Sequence, residues 1–277
     1  MRPDGLYGEA RVVKIVYVLP GPMGRSEAGR AEMERRLTIL RSYAAPGTEV
    51  EIADVDEGPA SIESLYEEYL SIPKTVERML EAEKEGYDAA VLGCYGDPGL
   101  DAIREVTERM VVVGPGEAGA MAAAMCGERF AIVTVTRSIV NALHHLVEKI
   151  GVGKKLAAVR AIETPVLALA EDKVGTTQKL VEEGRRAIEE DRADTLVLGC
   201  MSMGFLGVAE EMSEVLGVPV VNPGRTSLKM AEALVGAGLV HSKRAYMTPP
   251  KIAPGEVESS ADLMVRKDSR YSEAYPR

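Results

Sequence analysis

Two cysteines stand where they could do chemistry. Cys94 ends the stretch Asp88-Ala-Ala-Val-Leu-Gly-Cys94 and Cys200 ends Asp194-Thr-Leu-Val-Leu-Gly-Cys200, so the same short apolar run delivers a thiol twice. A thiolate can take a proton from carbon and a thiol can give one back. One on each side of a bound molecule would remove a proton from one face and return another to the opposite face, which inverts a stereocentre. That operation needs one thiolate and one thiol, so the pair must titrate unequally and exchange roles with the enantiomer bound. A neighbouring helix amino terminus, with its dipole and free N–H groups, favours the thiolate, and both cysteines are expected to stand at one.

The elements that must position these thiols repeat as well. Each cysteine run is rich in Val and Leu, closes on Gly-Cys and is followed by a segment of helical period, the pattern of a buried parallel strand. Val112-Val-Gly-Pro-Gly116 follows the first copy as Val220-Val-Asn-Pro-Gly224 follows the second, so the repeated unit is strand, loop, helix and strand. Strand and helix alternate along the rest of the chain, which predicts α/β architecture. The expected fold is two similar domains related by a pseudo-two-fold, each a short parallel sheet flanked by helices. Ligands of such sheets bind beyond the carboxyl ends of the strands, so the active site belongs in the cleft between the halves.

The boundaries expected are 10–114 plus 222–246 for the first domain, 115–221 for the second and 247–277 for a tail with few apolar residues. The long helical pattern from Ile62 towards Lys84 contains Pro73, which predicts a break there.

Composition narrows the function. The chain has 277 residues, 46% hydrophobic and 27% charged, with a formal charge of −10. An acidic chain without a Lys/Arg stripe argues against nucleic acid, and no apolar run is long enough to span a membrane. The pairs Arg35-Arg36, Lys154-Lys155 and Arg185-Arg186 read as solvated positions. Three cysteines without a close pair are too few for a disulfide scaffold and wrongly spaced for structural zinc; the thiols should stay reduced in a cytoplasmic protein. Cys126, in an alanine-rich helix, reads as a small buried hydrophobe. His144, His145 and His241 lack a third ligand beside them, and neither Gly-x-Gly-x-x-Gly after the first strand nor Gly-Lys-Ser/Thr occurs. No metal and no cofactor are expected. The partner is a small-molecule substrate, and a homo-oligomer is expected.

At Cys94-Tyr-Gly-Asp-Pro-Gly-Leu100, Gly114-Pro-Gly-Glu-Ala118, Arg129-Phe-Ala-Ile-Val-Thr134, Val197-Leu-Gly-Cys200 and Ser242-Lys-Arg-Ala-Tyr246 the chain resembles the cofactor-independent aspartate/glutamate racemase superfamily, and within it the hydantoin and allantoin racemase group. The resemblance implies that Cys94 and Cys200 are the paired acid and base. It further implies that Gly96, Asp97, Thr134, Val135, Met201, Ser202 and Met203 hold the ligand, their backbone N–H groups stabilising the enolate oxygen.

Asp97 also reads as a turn residue that caps the following helix. Two positions depart from the group's pattern: Leu19-Pro-Gly-Pro22 replaces Asn-Pro-Asn after the first strand, and Gly-Cys-Met-Ser-Met203 replaces Gly-Cys-Ala-Gly-Met. A metabolite-binding protein on the same frame, or another reaction of the superfamily, is the alternative reading.

Overall fold

The computed structural model describes residues 12–249. Strands β1 (Val13–Val18), β2 (Thr48–Ala53), β3 (Ala89–Leu92) and β4 (Val111–Val113) form one sheet, and β5 (Phe130–Thr134), β6 (Leu156–Ala161), β7 (Thr195–Leu198) and β8 (Val220–Val221) form another. The strand orders are β2-β1-β3-β4 and β6-β5-β7-β8, with every pairing parallel. Each half therefore repeats the other strand for strand. In both, the order reverses between the first and third strands, which opens a crevice at their carboxyl ends.

Both faces of each sheet are covered, as near-continuous apolar strands require. In the first sheet Ile15, Tyr17, Val91 and Val113 pack against α1 (Glu27–Tyr43), while Val16, Val18, Leu92 and Val112 pack on the opposite face against α2 (Leu65–Glu85) and α3 (Leu100–Val106). In the second, Phe130, Ile132 and Val197 meet α4 (Pro115–Cys126) and α5 (Val140–Ile150). Their alternates Ala131, Val133, Leu196 and Leu198 lie on the face covered by α6 (Lys173–Glu189), with Met203 of α7 (Met201–Phe205) and Ala209 and Met212 of α8 (Ala209–Leu216) in the same cluster.

The final helix, α9 (Pro223–Gly236), returns to the first sheet, where Leu228 and Ala231 join its core. The repeated Val-Val-x-Pro-Gly stretches are the starts of α4 and α9, each with proline at its first position, where the missing N–H costs nothing.

Two expectations are corrected. Pro73 does not break α2, which runs unbroken through it. Ser71, Thr75, Met79 and Ala82 form one buried stripe spanning the proline, and the gain from packing that stripe outweighs a helix penalty of about 3 kcal/mol. Cys126 is exposed at the end of α4 rather than buried. The tail expected over 247–277 lies, from 250 onward, outside the described residues.

Candidate active site

Cys94 follows β3 and Cys200 follows β7, the equivalent strands of the two sheets. A glycine precedes each, and both glycine N–H groups bond the neighbouring strand: Gly93 N to Val18 O at 2.7 Å, Gly199 N to Val133 O at 2.8 Å. The residue after each cysteine crosses to the other half. Tyr95 is buried among Phe130, Ile132 and Val197 of the second sheet, whereas Met201, with Phe205, is buried against Ile15 and Tyr17 of the first sheet and Leu228 of α9. This reciprocal insertion ties the two cysteine loops across the seam between the sheets.

Both cysteines line one cavity of about 660 Å³, bounded also by the loop after β1, α1, the segment 58–62, α5 and the segment 166–170. Its wall is mainly apolar, with Met23, Ile62, Ile139, Leu143, Leu167 and Leu169, and its polar members include Glu32, Arg36, Glu68 and Ser202. Of the residues singled out in the sequence, Cys94, Gly96, Val135, Cys200, Met201 and Ser202 lie on this wall. Asp97, Thr134 and Met203 are not among the lining residues. Thr134 donates its hydroxyl to Gly199 O at 3.0 Å, which steadies the Cys200 strand end from behind.

Asp97 is buried and caps a helix, but not the one that follows it. Its Oδ1 accepts from Gly116 N at 2.9 Å and its Oδ2 from Glu117 N at 2.7 Å, at the start of α4, where Gly114 offers no capping side chain. Burial pushes its carboxyl up to about 7 against the pull of those two N–H groups. Asp97 N also bonds Cys94 O at 3.1 Å, so the Cys94 turn is pinned to the first turn of the helix that begins the second half.

The two thiols are not served alike. Cys200 immediately precedes α7; burial raises its pKa, but the N–H groups of Met203 and Ser202, the charge of Arg36 and the Ser202 hydroxyl all favour its thiolate. Burial pushes the Cys94 thiol well up. The Gly96 N–H opposes this, while the charges of Glu68, Cys200 and Asp97 disfavour the anion further. The expected helix amino terminus is thus present at Cys200, whereas at Cys94 a turn intervenes before α3, whose N-cap is Gly99.

Arg36, expected to be solvated, is only 7% exposed and stands on the cavity wall. Sequence reasoning missed it because its placement depends on a contact with Ser202, 166 residues away.

Beneath the site, Tyr17 meets Phe205 edge to face with ring centroids 5.7 Å apart, and its buried hydroxyl has no partner among the described residues. Tyr17→Phe is expected to leave the melting temperature unchanged or raise it, since an unmade buried hydrogen bond costs about 1–3 kcal/mol. A fall in thermal stability by calorimetry would mean that the hydroxyl is bonded after all.

No helix among the described residues is long and apolar enough to cross a membrane, and no group of three or more His, Cys, Asp or Glu there could hold a metal ion.

Two duplicated parallel sheets, each ending a strand on a cysteine at a shared cavity, define a two-domain α/β protein of the racemase type. Residues 25–231 match the family model described as Asp/Glu/hydantoin racemase, and the chain belongs to that family. It is 40% identical over 212 residues to the hydantoin racemase of Pseudomonas sp. (strain NS671), covering 76% of this chain and 84% of that one. It is 36% identical over 211 residues to the hydantoin racemase of Paenarthrobacter aurescens, covering 76% and 88%. Among solved structures, the allantoin racemase from Klebsiella pneumoniae superposes with a TM-score of 0.79 at 33% identity, over 87% of this chain and 95% of that chain.

Proposed function

We propose that this protein is a cofactor-independent racemase of 5-substituted hydantoins, with Cys94 and Cys200 exchanging protons with C5 from opposite faces of the ring. The observation that carries this reading is the shared cavity with one cysteine from each repeated half on its wall. The C5 proton of a hydantoin is acidic because the adjacent C4 carbonyl accepts the charge as an enolate. A thiolate on one side removes that proton while the opposite thiol supplies its replacement. Gly96, Val135, Met201 and Ser202 are the expected residues that bear on the ring from the wall; Asp97, Thr134 and Met203 act from behind it through the loops they hold.

The similarity to hydantoin racemases supports the ring, and the cavity lining suggests the substituent. Met23, Leu143, Leu167 and Leu169 favour an apolar group at C5 over the ureido group of allantoin, and the loop Leu19-Pro-Gly-Pro22 brings no polar side chain. Each buried methylene contributes about 0.8 kcal/mol, so kcat/KM for 5-isobutyl- or 5-benzylhydantoin is expected to exceed that for allantoin by at least about tenfold. Polarimetry on single enantiomers of these three compounds tests it. Faster loss of rotation with allantoin reverses the assignment, and binding without any loss of rotation favours a metabolite-binding protein.

The domain division belongs to the same proposal: 10–114 with 222–246, and 115–221. Supporting it, His241 Nε2 accepts from Val112 N at 2.8 Å and Arg104 donates to the Tyr246 hydroxyl at 3.2 Å, so the segment after α9 closes the edge of the first sheet. The three unpaired cysteines suit a cytoplasmic setting, and the exposed Leu65, Tyr66, Tyr69 and Leu70 of α2 offer a surface that a homo-oligomer would cover.

A further inference from the structure

We propose that Arg36 is a positioning residue that makes Cys200, and not Cys94, the more readily ionised of the two thiols. The proposal rests on the two-thiol reading above and adds to it a direction: which thiol ionises first.

The Arg36 guanidinium is fixed from three sides. Its Nε donates to Glu32 Oε1 at 2.7 Å, its Nη2 donates to Ser202 Oγ at 3.1 Å, and its central carbon lies 4.9 Å from the centroid of the Phe205 ring. Two of these partners belong to α7, the helix that Cys200 opens, so the charge is tied to the same short element that carries N–H groups towards the sulfur. Glu32 also binds Arg35, whose Nη1 donates to Phe205 O at 2.9 Å. The α1 face thus grips α7 with two guanidinium groups, both held by the Glu32 carboxylate of the same helix. A planar fork pre-ordered in this way holds its charge in place without further loss of side-chain freedom.

The surroundings of the two thiols then differ in sign. Around Cys200 stand Arg36, paired with Glu32 of α1, and the Ser202 hydroxyl from α7, with Cys94 from the opposite loop, while the Tyr17 hydroxyl from β1 faces both thiols. Around Cys94 stand the carboxyl groups of Glu68 from α2 and Asp97 from its own turn, with Cys200 opposite and the Gly96 N–H opposing them. The Glu68 side chain accepts no hydrogen bond and forms no ion pair among the described residues, although the charge of Lys149 reaches it. A cation beside one thiol and carboxyl groups beside the other separate two otherwise identical groups, as a pair with opposite roles requires.

The test is site-resolved alkylation of the full chain with iodoacetamide across a pH series, with Cys94 and Cys200 followed separately by peptide mass. In the wild-type protein Cys200 is expected to react at lower pH than Cys94; the reverse order overturns the proposal without any variant. Arg36→Met should move the Cys200 profile upward by about one pH unit or more while leaving that of Cys94 in place, and Arg36→Lys should restore most of the shift. A Cys200 profile unmoved in an Arg36→Met protein of native circular dichroism would show that Arg36 only packs. Should Arg36→Met not fold, Arg36→Gln, which keeps a donor for Ser202 but not the charge, is read in its place, with an unmoved Cys200 profile overturning the proposal in the same way. Failure here is separable from failure of the two-thiol reading, which instead shows as racemisation surviving in a cysteine variant.

Discussion

Cys94→Ser and Cys200→Ser are each expected to abolish racemisation, with kcat falling by about 10²–10⁴-fold, the usual contribution of a positioned acid or base. Serine is far too weak an acid or base to pass a proton at neutral pH. Both cysteines are half-buried at the cavity wall, so the exchange should be nearly isosteric and the fold unaffected. The two variants should nevertheless differ in what they retain. With one thiol left, each can remove and return the proton of a single enantiomer without inversion. Incubation in deuterated water should therefore label C5 of one enantiomer with Cys94→Ser and of the other with Cys200→Ser, read by proton NMR. Substantial racemisation in either variant would mean that one base suffices, with solvent as the second proton carrier.

The cysteines were legible in the sequence because their signal is local and duplicated. A Val/Leu run ending on Gly-Cys occurs twice, and the strand orders β2-β1-β3-β4 and β6-β5-β7-β8 repeat that duplication in space. What escaped depends on long-range contact. Arg36 looks like one of several basic pairs until Phe205 and Ser202 close over it.

Asp97 reads as a cap for α3, the nearest helix, yet its side chain reaches forward to α4, because Gly114 leaves that amino terminus without a cap and the Cys94 turn passes beside it. Proline propensity overstated the effect of Pro73 for a related reason: propensity is a per-residue cost, whereas the buried stripe of α2 is a property of the whole helix against its sheet. The unequal surroundings of the two thiols were equally hidden. Two strands of the same pattern, each closing on Val-Leu-Gly-Cys, end in different local structures, a turn after Cys94 and a helix after Cys200.

Gly93→Ala should cost both stability and activity, and the reason lies in how the sulfur is placed. A Cβ on Gly93 would stand 2.6 Å from Val18 O, 3.1 Å from Leu19 Cα and 3.2 Å from the Tyr17 ring. The first two are backbone atoms of β1 and of the residue that follows it, which cannot turn aside as a flexible side chain would. Nor can the glycine retreat freely, because its N–H bonds that same Val18 oxygen at 2.7 Å. Overpacking of this kind costs about 1–3 kcal/mol, and at about 2–4 °C per kcal/mol for a chain of this size the melting temperature should fall by several degrees.

The loss of activity should be larger in relative terms. Relief requires the strand end to shift, the next residue is Cys94, and a misplacement of about 1 Å in a proton-transfer contact costs about 10²-fold. Gly199→Ala is the matched comparison at Cys200: there the new Cβ would meet Ile132 Cγ2 at 2.5 Å and Thr134 Cβ at 3.0 Å, atoms of fully buried β-branched side chains with little freedom to turn aside. Calorimetry and kcat measured on both variants should therefore show losses of similar size at the two sites. An unchanged melting temperature together with unchanged kcat for Gly93→Ala would refute the claim that this close backbone approach is what aims the thiol.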